Sequence, residues 1–255
     1  MITVIVKNEK WKAIPLLHVY DESMDNETPV VIFLHGFLSA KEHNLHYAYQ
    51  LVEKGVRVIL PDALMHGERT NHLSESEMNL SFWKIVLKSV EEVNTIYQEL
   101  KLKNLLGNNN IGIAGTSMGG IVTSGCLAVY PWIKTAGICM GTTSFTKLAE
   151  HQVEEFKAKG IEFPMTLAQQ EATFKMLSHY NLEQRMEHVK KSPIIFWHGQ
   201  KDSVVPYRMS REFYDQLEER QEKYPIRYIA EPNAGHAVSR NGILTVTNWL
   251  VQHLA

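Results

Sequence analysis

The short apolar run Ile111–Ala114 leads directly into Gly115-Thr116-Ser117-Met118-Gly119-Gly120, and a helical pattern, Gly119–Val129, follows. A serine centred in G-x-S-x-G between a strand and a helix sits on a sharp turn with a strained backbone. The residues two before and two after it are pressed together, so Gly115 and Gly119 stand where a Cβ would clash. The turn projects the Ser117 hydroxyl above the sheet. The helix behind it aims N–H groups and the positive end of its dipole at the place where negative charge would develop. The chemistry that needs this arrangement is nucleophilic attack. The same glycines do not fit the dinucleotide pattern G-x-G-x-x-G, and no G-x-x-x-x-G-K-[ST] phosphate loop occurs.

A serine hydroxyl is a weak nucleophile and needs a base. The chain has 12 histidines, so position must choose among them. His236, in Asn233-Ala234-Gly235-His236, falls between the last strand pattern and the last helix pattern. That is a strand's carboxyl end, where open α/β sheets place their sites. The base needs an orienting acid between serine and histidine in chain order. Asp202 follows the apolar run Ile194–Trp197, whereas the loop Gly141-Thr142-Thr143-Ser144 after the preceding strand carries no acid. Asp215 and Glu218 fall inside a helix pattern, and Asp62 precedes the serine. An oxyanion needs preorganised donors. The strand ending at Leu34 runs into His35-Gly36-Phe37, which makes the Phe37 N–H one donor. The Met118 N–H, next to the nucleophile, is the other. His35 is expected to be a structural hydrogen-bonder, and His66 and His72 fall in a polar loop that could rim the pocket. His43-x-x-His46 lacks the H-E-x-x-H context of a zinc site, so no metal or cofactor is expected.

These residues require a scaffold of alternating strands and helices. Apolar runs at Val30–Leu34, Val56–Leu60, Ile111–Ala114, Thr135–Met140, Ile194–Trp197 and Ile226–Ile229 suit parallel strands buried on both faces. Thr3–Val6 and Leu16–Tyr20 are expected to pair as antiparallel edge strands. Helical patterns at His43–Lys54, Ser81–Leu100, Gly119–Val129, Tyr207–Gln221 and Ile243–His253 complete an α/β fold, read as a single domain over residues 1–255. One stretch breaks the alternation. Residues 144–191 look helical, with Thr166-Leu-Ala-Gln169 in the form of a capping box, and are expected to form a small helical cap insertion. Its apolar residues Phe145, Phe156, Phe163, Met165, Phe174, Met176 and Met186 are candidates to wall an acyl pocket with a short-chain optimum.

Composition narrows the function further. The chain's 26 Lys and Arg against 28 Asp and Glu leave a net charge of −2 and no basic footprint for nucleic acid. The segment between Lys103 and Lys134 carries no charge. It contains Asn108, Asn109, Asn110 and several glycines, so a buried strand, turn and helix explain it better than a membrane span. Met1–Trp11 lacks the apolar core of a signal peptide. Cys126 and Cys139 are too few for a disulfide framework and are expected as buried free thiols in a cytoplasmic protein.

Taken together, His35-Gly36-Phe37, the elbow around Ser117, His198-Gly-x-x-Asp202 and Gly235-His236 resemble an α/β-hydrolase serine esterase. They are similar to bacterial carboxylesterases of the prolyl-oligopeptidase and dienelactone-hydrolase-like groups. The resemblance runs from about Val30 to the C-terminus. It implies an eight-stranded, mostly parallel sheet with helices on both faces and a Ser117–Asp202–His236 triad acting on a small-molecule ester. One departure is visible: relatives often carry D-x-x-G-H-G after the fourth strand, and here Asp62-Ala-Leu-Met65-His66-Gly67 has Met65 for the first glycine. A thioesterase, acyltransferase or peptidase would use the same triad. A non-catalytic binding protein would differ from all of them in leaving Ser117 unreactive.

Overall fold

The computed structural model describes residues 2–158, 160, 165–220 and 223–254. Its strands are β1 (Val4–Trp11), β2 (Ile14–Asp21), β3 (Val30–Leu34), β4 (Arg57–Pro61), β5 (Ile111–Thr116), β6 (Thr135–Cys139), β7 (Ile194–Gly199) and β8 (Ile226–Glu231). They form one eight-stranded sheet in the order β1-β2-β4-β3-β5-β6-β7-β8. From β4 through β8 all neighbours are parallel. The first two strands are antiparallel to each other, and β2 is antiparallel to β4. This is the mostly parallel sheet of an α/β hydrolase. The expected edge pair is present, and β1 extends beyond Val6 to Trp11.

Alternation decides which face each strand residue serves. Val30, Ile32, Ile113, Ile138 and Phe196 join one core, and Val31, Phe33, Ala114, Cys139 and Trp197 join the other. Both sets are buried, so the strands read as continuous apolar runs rather than as alternating ones. The helices are α1 (Leu45–Val52), α2 (Glu75–Leu80), α3 (Phe82–Leu102), α4 (Met118–Val129), α5 (Phe145–Ala158), α6 (Leu167–Ser178), α7 (Met186–Val189), α8 (Arg208–Glu218) and α9 (Arg240–Leu254). Residues of α1 and α9 pack in the core with Val31 and Phe33, whereas α3, α4 and α8 pack in the opposite one. The expected α8 pattern runs to Gln221, which lies outside the described residues. The two free cysteines are buried, and burial pushes the Cys139 thiol up to about 12.

Between β6 and β7 the chain departs into α5, α6 and α7. Asn181 closes the base of this excursion. Its Oδ1 accepts the Phe145 N–H at 2.9 Å, and its Nδ2 donates to Thr146 Oγ1 at 2.9 Å. The ring of Phe145 fills the space beside Gly125 of α4, where any Cβ would collide with it. Thr166 and Gln169 form the reciprocal capping box that starts α6. On the other side, Trp83 of α3 donates its indole N–H to Gln152 Oε1 of α5 at 2.9 Å.

Candidate active site

Ser117 stands between β5 and α4 with φ 56° and ψ −119°, the left-handed region that side chains avoid. Its own N–H donates to Cys139 O at 2.9 Å, which fixes the turn to β6. Close packing explains both neighbouring glycines. A Cβ on Gly115 would run into the Gly119 backbone, and one on Gly119 into the Leu34 carbonyl. Met118 opens α4, so its N–H has no intrahelical acceptor.

His236 and Asp202 come from the loops after β8 and β7. His236 Nε2 lies 2.8 Å from Ser117 Oγ, and His236 Nδ1 lies 2.7 Å from Asp202 Oδ2. The Asp202 carboxylate is fully buried. Burial alone would raise its pKa. Hydrogen bonds from His198, His236 and the N–H groups of Val204 and Val205 outweigh that and hold the carboxyl well below the usual carboxylate range. Sequence reading assigned no role to His198. Its Nε2 is 3.2 Å from Asp202 Oδ2 and 3.0 Å from Val205 O, and its Nδ1 is 3.1 Å from Ser210 Oγ. The spacing His198-Gly-x-x-Asp202 was the available signal.

The Phe37 segment is held by two histidines. His35 Nε2 accepts the Ala63 N–H at 3.0 Å while Nδ1–H donates to Gly36 O at 2.8 Å. Burial pushes the His35 pKa down to about 4, so the ring is neutral near pH 7. His66 Nε2 accepts the Leu38 N–H at 3.0 Å, and its Nδ1–H donates to Leu64 O at 2.8 Å. Burial lowers its pKa as well. His66 is therefore buried behind the loop rather than on the pocket rim, and His72 is exposed. Gly36 lies against the nucleophile: a Cβ there would stand 3.4 Å from Ser117 Cβ. Met65, at the position where the motif has glycine, takes φ 63°. The loop thus keeps the backbone conformation a glycine would adopt freely.

Over Ser117 opens a cavity of about 840 Å³. Phe37 and Met118 line it together with Ser117. Phe156, Met165, Phe174 and Met176 also face it, as expected of the excursion. Phe145, in the core, and Met186, packed against it, do not face it, and Phe163 lies outside the described residues. Leu80, Trp83 and Leu87, from α2 and α3, form a wall that sequence reading did not assign. Among the described residues no group of three His, Cys, Asp or Glu side chains could hold a metal, and no helix is long and apolar enough to cross a membrane.

An eight-stranded sheet with a serine elbow and a histidine–carboxylate pair on its strand-end loops defines an α/β hydrolase. Residues 86–255 match the prolyl oligopeptidase family, and the chain belongs to it. It is 39% identical to "Putative esterase YitV" of Bacillus subtilis (strain 168), over 98% of this chain and 99% of that one. It is 28% identical to the Escherichia coli (strain K12) protein named esterase YjfP, over 98% and 99%. The crystal structure of TT1662 from Thermus thermophilus superposes with a TM-score of 0.76 at 20% identity, covering 99% of this chain and 98% of that one, and so shares the fold.

Proposed function

We propose that the protein hydrolyses carboxylic esters of small molecules through an acyl-enzyme on Ser117. Ser117 Oγ attacks the ester carbonyl while His236 Nε2 takes its proton. Asp202 holds the imidazole by Nδ1–H and stabilises its charged form. The Phe37 and Met118 N–H groups receive the oxyanion. The alcohol departs with the proton from His236, and water, deprotonated by the same imidazole, releases the acid. The observation that carries this reading is the continuous chain Ser117–His236–Asp202 at 2.8 and 2.7 Å, closed on a buried carboxylate. The names of two relatives matched end to end favour an ester over a peptide bond.

The test combines fluorophosphonate labelling with turnover of p-nitrophenyl esters, thioesters and peptide anilides. Wild type should label at Ser117 and prefer the esters. Ser117→Ala should lose labelling and about 10⁶ in kcat, and Asp202→Asn about 10⁴. Faster turnover of thioesters or peptides would move the reading to a thioesterase or peptidase. An unlabelled wild-type Ser117 would leave a binding protein.

A further inference from the structure

We infer that the cavity over Ser117 holds the acyl half of the ester, that this acyl group is long or aromatic and uncharged, and that the alcohol leaves on the opposite side. The inference rests on the ester-hydrolase reading above. A carbonyl carbon bonded to Ser117 Oγ has three remaining directions. The oxyanion must point to the Phe37 and Met118 N–H groups, and the leaving oxygen must point to His236 Nε2 to receive its proton. The third direction belongs to the acyl chain. Among the described residues the cavity wall includes Phe37, Met118 and Ile121, and Val204 and Val205 from the Asp202 loop, but neither His236 nor the 233–235 loop. The cavity therefore meets Ser117 without including the proton donor in its wall.

Size and lining give the substrate class. About 840 Å³ is in the range that encloses a drug-sized ligand. An acetyl or butyryl group would leave most of it unfilled, so the inferred optimum is longer than the short-chain one expected from the sequence. Ile121, Trp83, Leu87, Phe156 and Phe174 make the wall apolar, and the Trp83 indole N–H is already given to Gln152. Of the ionisable residues of the wall, Lys84, Lys88, Glu91 and Glu155 are exposed, and the half-buried His151 already faces Glu155 at 3.7 Å. Lys88 is paired with Glu91 at 3.0 Å. A carboxylate carried on the acyl chain would find no buried partner, so monoesters of diacids should be poor substrates.

Two ester series test this, both kept below their aggregation concentrations. One is p-nitrophenyl esters from acetyl to octanoyl, with phenylpropanoyl added. The other is acetate esters of alcohols of the same lengths, followed by acid release. Each buried methylene is worth about fourfold in kcat/KM when fully realised. Octanoyl should therefore exceed acetyl by at least about a hundredfold, with a much shallower slope along the alcohol series. Leu87→Trp, which fills the cavity, should cut the octanoyl-to-acetyl ratio at least about tenfold. A flat acyl profile, a short-chain optimum or a steeper alcohol series would overturn the inference, and wild type alone decides these if the variant does not fold. Labelling of Ser117 with a flat profile would sink only this inference. Absence of both labelling and turnover would sink the ester reading beneath it.

Discussion

His236 Nδ1 and His198 Nε2 both face Asp202 Oδ2, at 2.7 and 3.2 Å, so two imidazoles orient one carboxylate. Only His236 reaches Ser117. His198 positions the acid, and its own ring is set by Val205 O and by Ser210 Oγ, which lies 2.9 Å from Tyr228 OH. His198→Phe should remove a hydrogen bond to a charged group, at a cost of about 2 kcal/mol in stability. It should also lower kcat about tenfold as Asp202 loosens, and His198→Gln, which keeps a donor, should recover part of both. A kcat equal to wild type in His198→Phe would show that Asp202 is held without it. His66 is the counterpart beside the proposed oxyanion donor Phe37. His66→Ala frees the Leu38 N–H and loosens the adjacent Phe37 amide, so kcat should fall about tenfold with KM little changed, less than the 10² to 10³ lost when a donor is removed outright. His66→Gln, with an acceptor in the same place, should be close to wild type. That Ser117, Asp202 and His236 would meet was legible because each lies in a short motif at a strand end. The role of His66 was not, because its partner is 28 residues away and the meeting depends on the paths of two loops.

The elements that carry these residues leave little freedom at two junctions. At the first, α4 crosses the ends of β3 and β5 so closely that Gly119→Ala must move the Leu34 carbonyl. Its expected cost is about 3 kcal/mol, the upper end for overpacking, read as a lower midpoint in urea. A midpoint equal to wild type would mean the elbow can relax. At the second, the loops after β3 and β4 are joined by Lys41, whose fully buried ammonium meets Asp62 at 2.8 Å, Glu68 at 2.8 Å and Glu42 at 2.9 Å. Lys41→Met takes the ammonium from the buried Asp62 carboxylate, leaving it the N–H groups of residues 41 and 68, and should cost roughly 3 kcal/mol, whereas Glu42→Gln, at an exposed position, should cost little. Strands β3 to β7 were legible because burial on both faces leaves uninterrupted apolar runs, and α3 because its stripe is long. Helix α2 was missed. Only Met78 and Leu80 are apolar in its last turn, and its Ser74–Glu77 capping box carried the information instead. The excursion between β6 and β7 was legible as helical from its caps. Its contact with α3 through Trp83 and Gln152 was not, because sequence spacing says nothing about which helix faces which.

At the scale of the whole molecule, the arrangement of neutral, buried histidines fixes how stability responds to acid. The pKa values of the buried His18, His35 and His66 are all lowered, with burial the largest cause in each. The unfolded chain therefore binds more protons than the folded one once pH drops below about 6.5, and stability must fall from there. Carboxylates such as Asp202, whose folded pKa is depressed, work in a lower window. Their contribution is complete above about pH 4 and is lost only as pH falls below it. Balanced charge, 26 basic against 28 acidic residues, keeps general self-repulsion small near neutrality, so the histidine term should dominate the first part of the acid limb. His35, with a folded value of about 4, should by itself remove roughly 2 kcal/mol between pH 7.5 and pH 5, about 5 °C in Tm for a chain of this length. His35→Gln keeps an acceptor for the Ala63 N–H but cannot take up a proton. Calorimetry at the two pH values should show a Tm drop for wild type that is several degrees larger than for His35→Gln. Equal drops in the two proteins would mean that His35 is not held neutral in the folded state, and the loop carrying Phe37 would then need a different anchor.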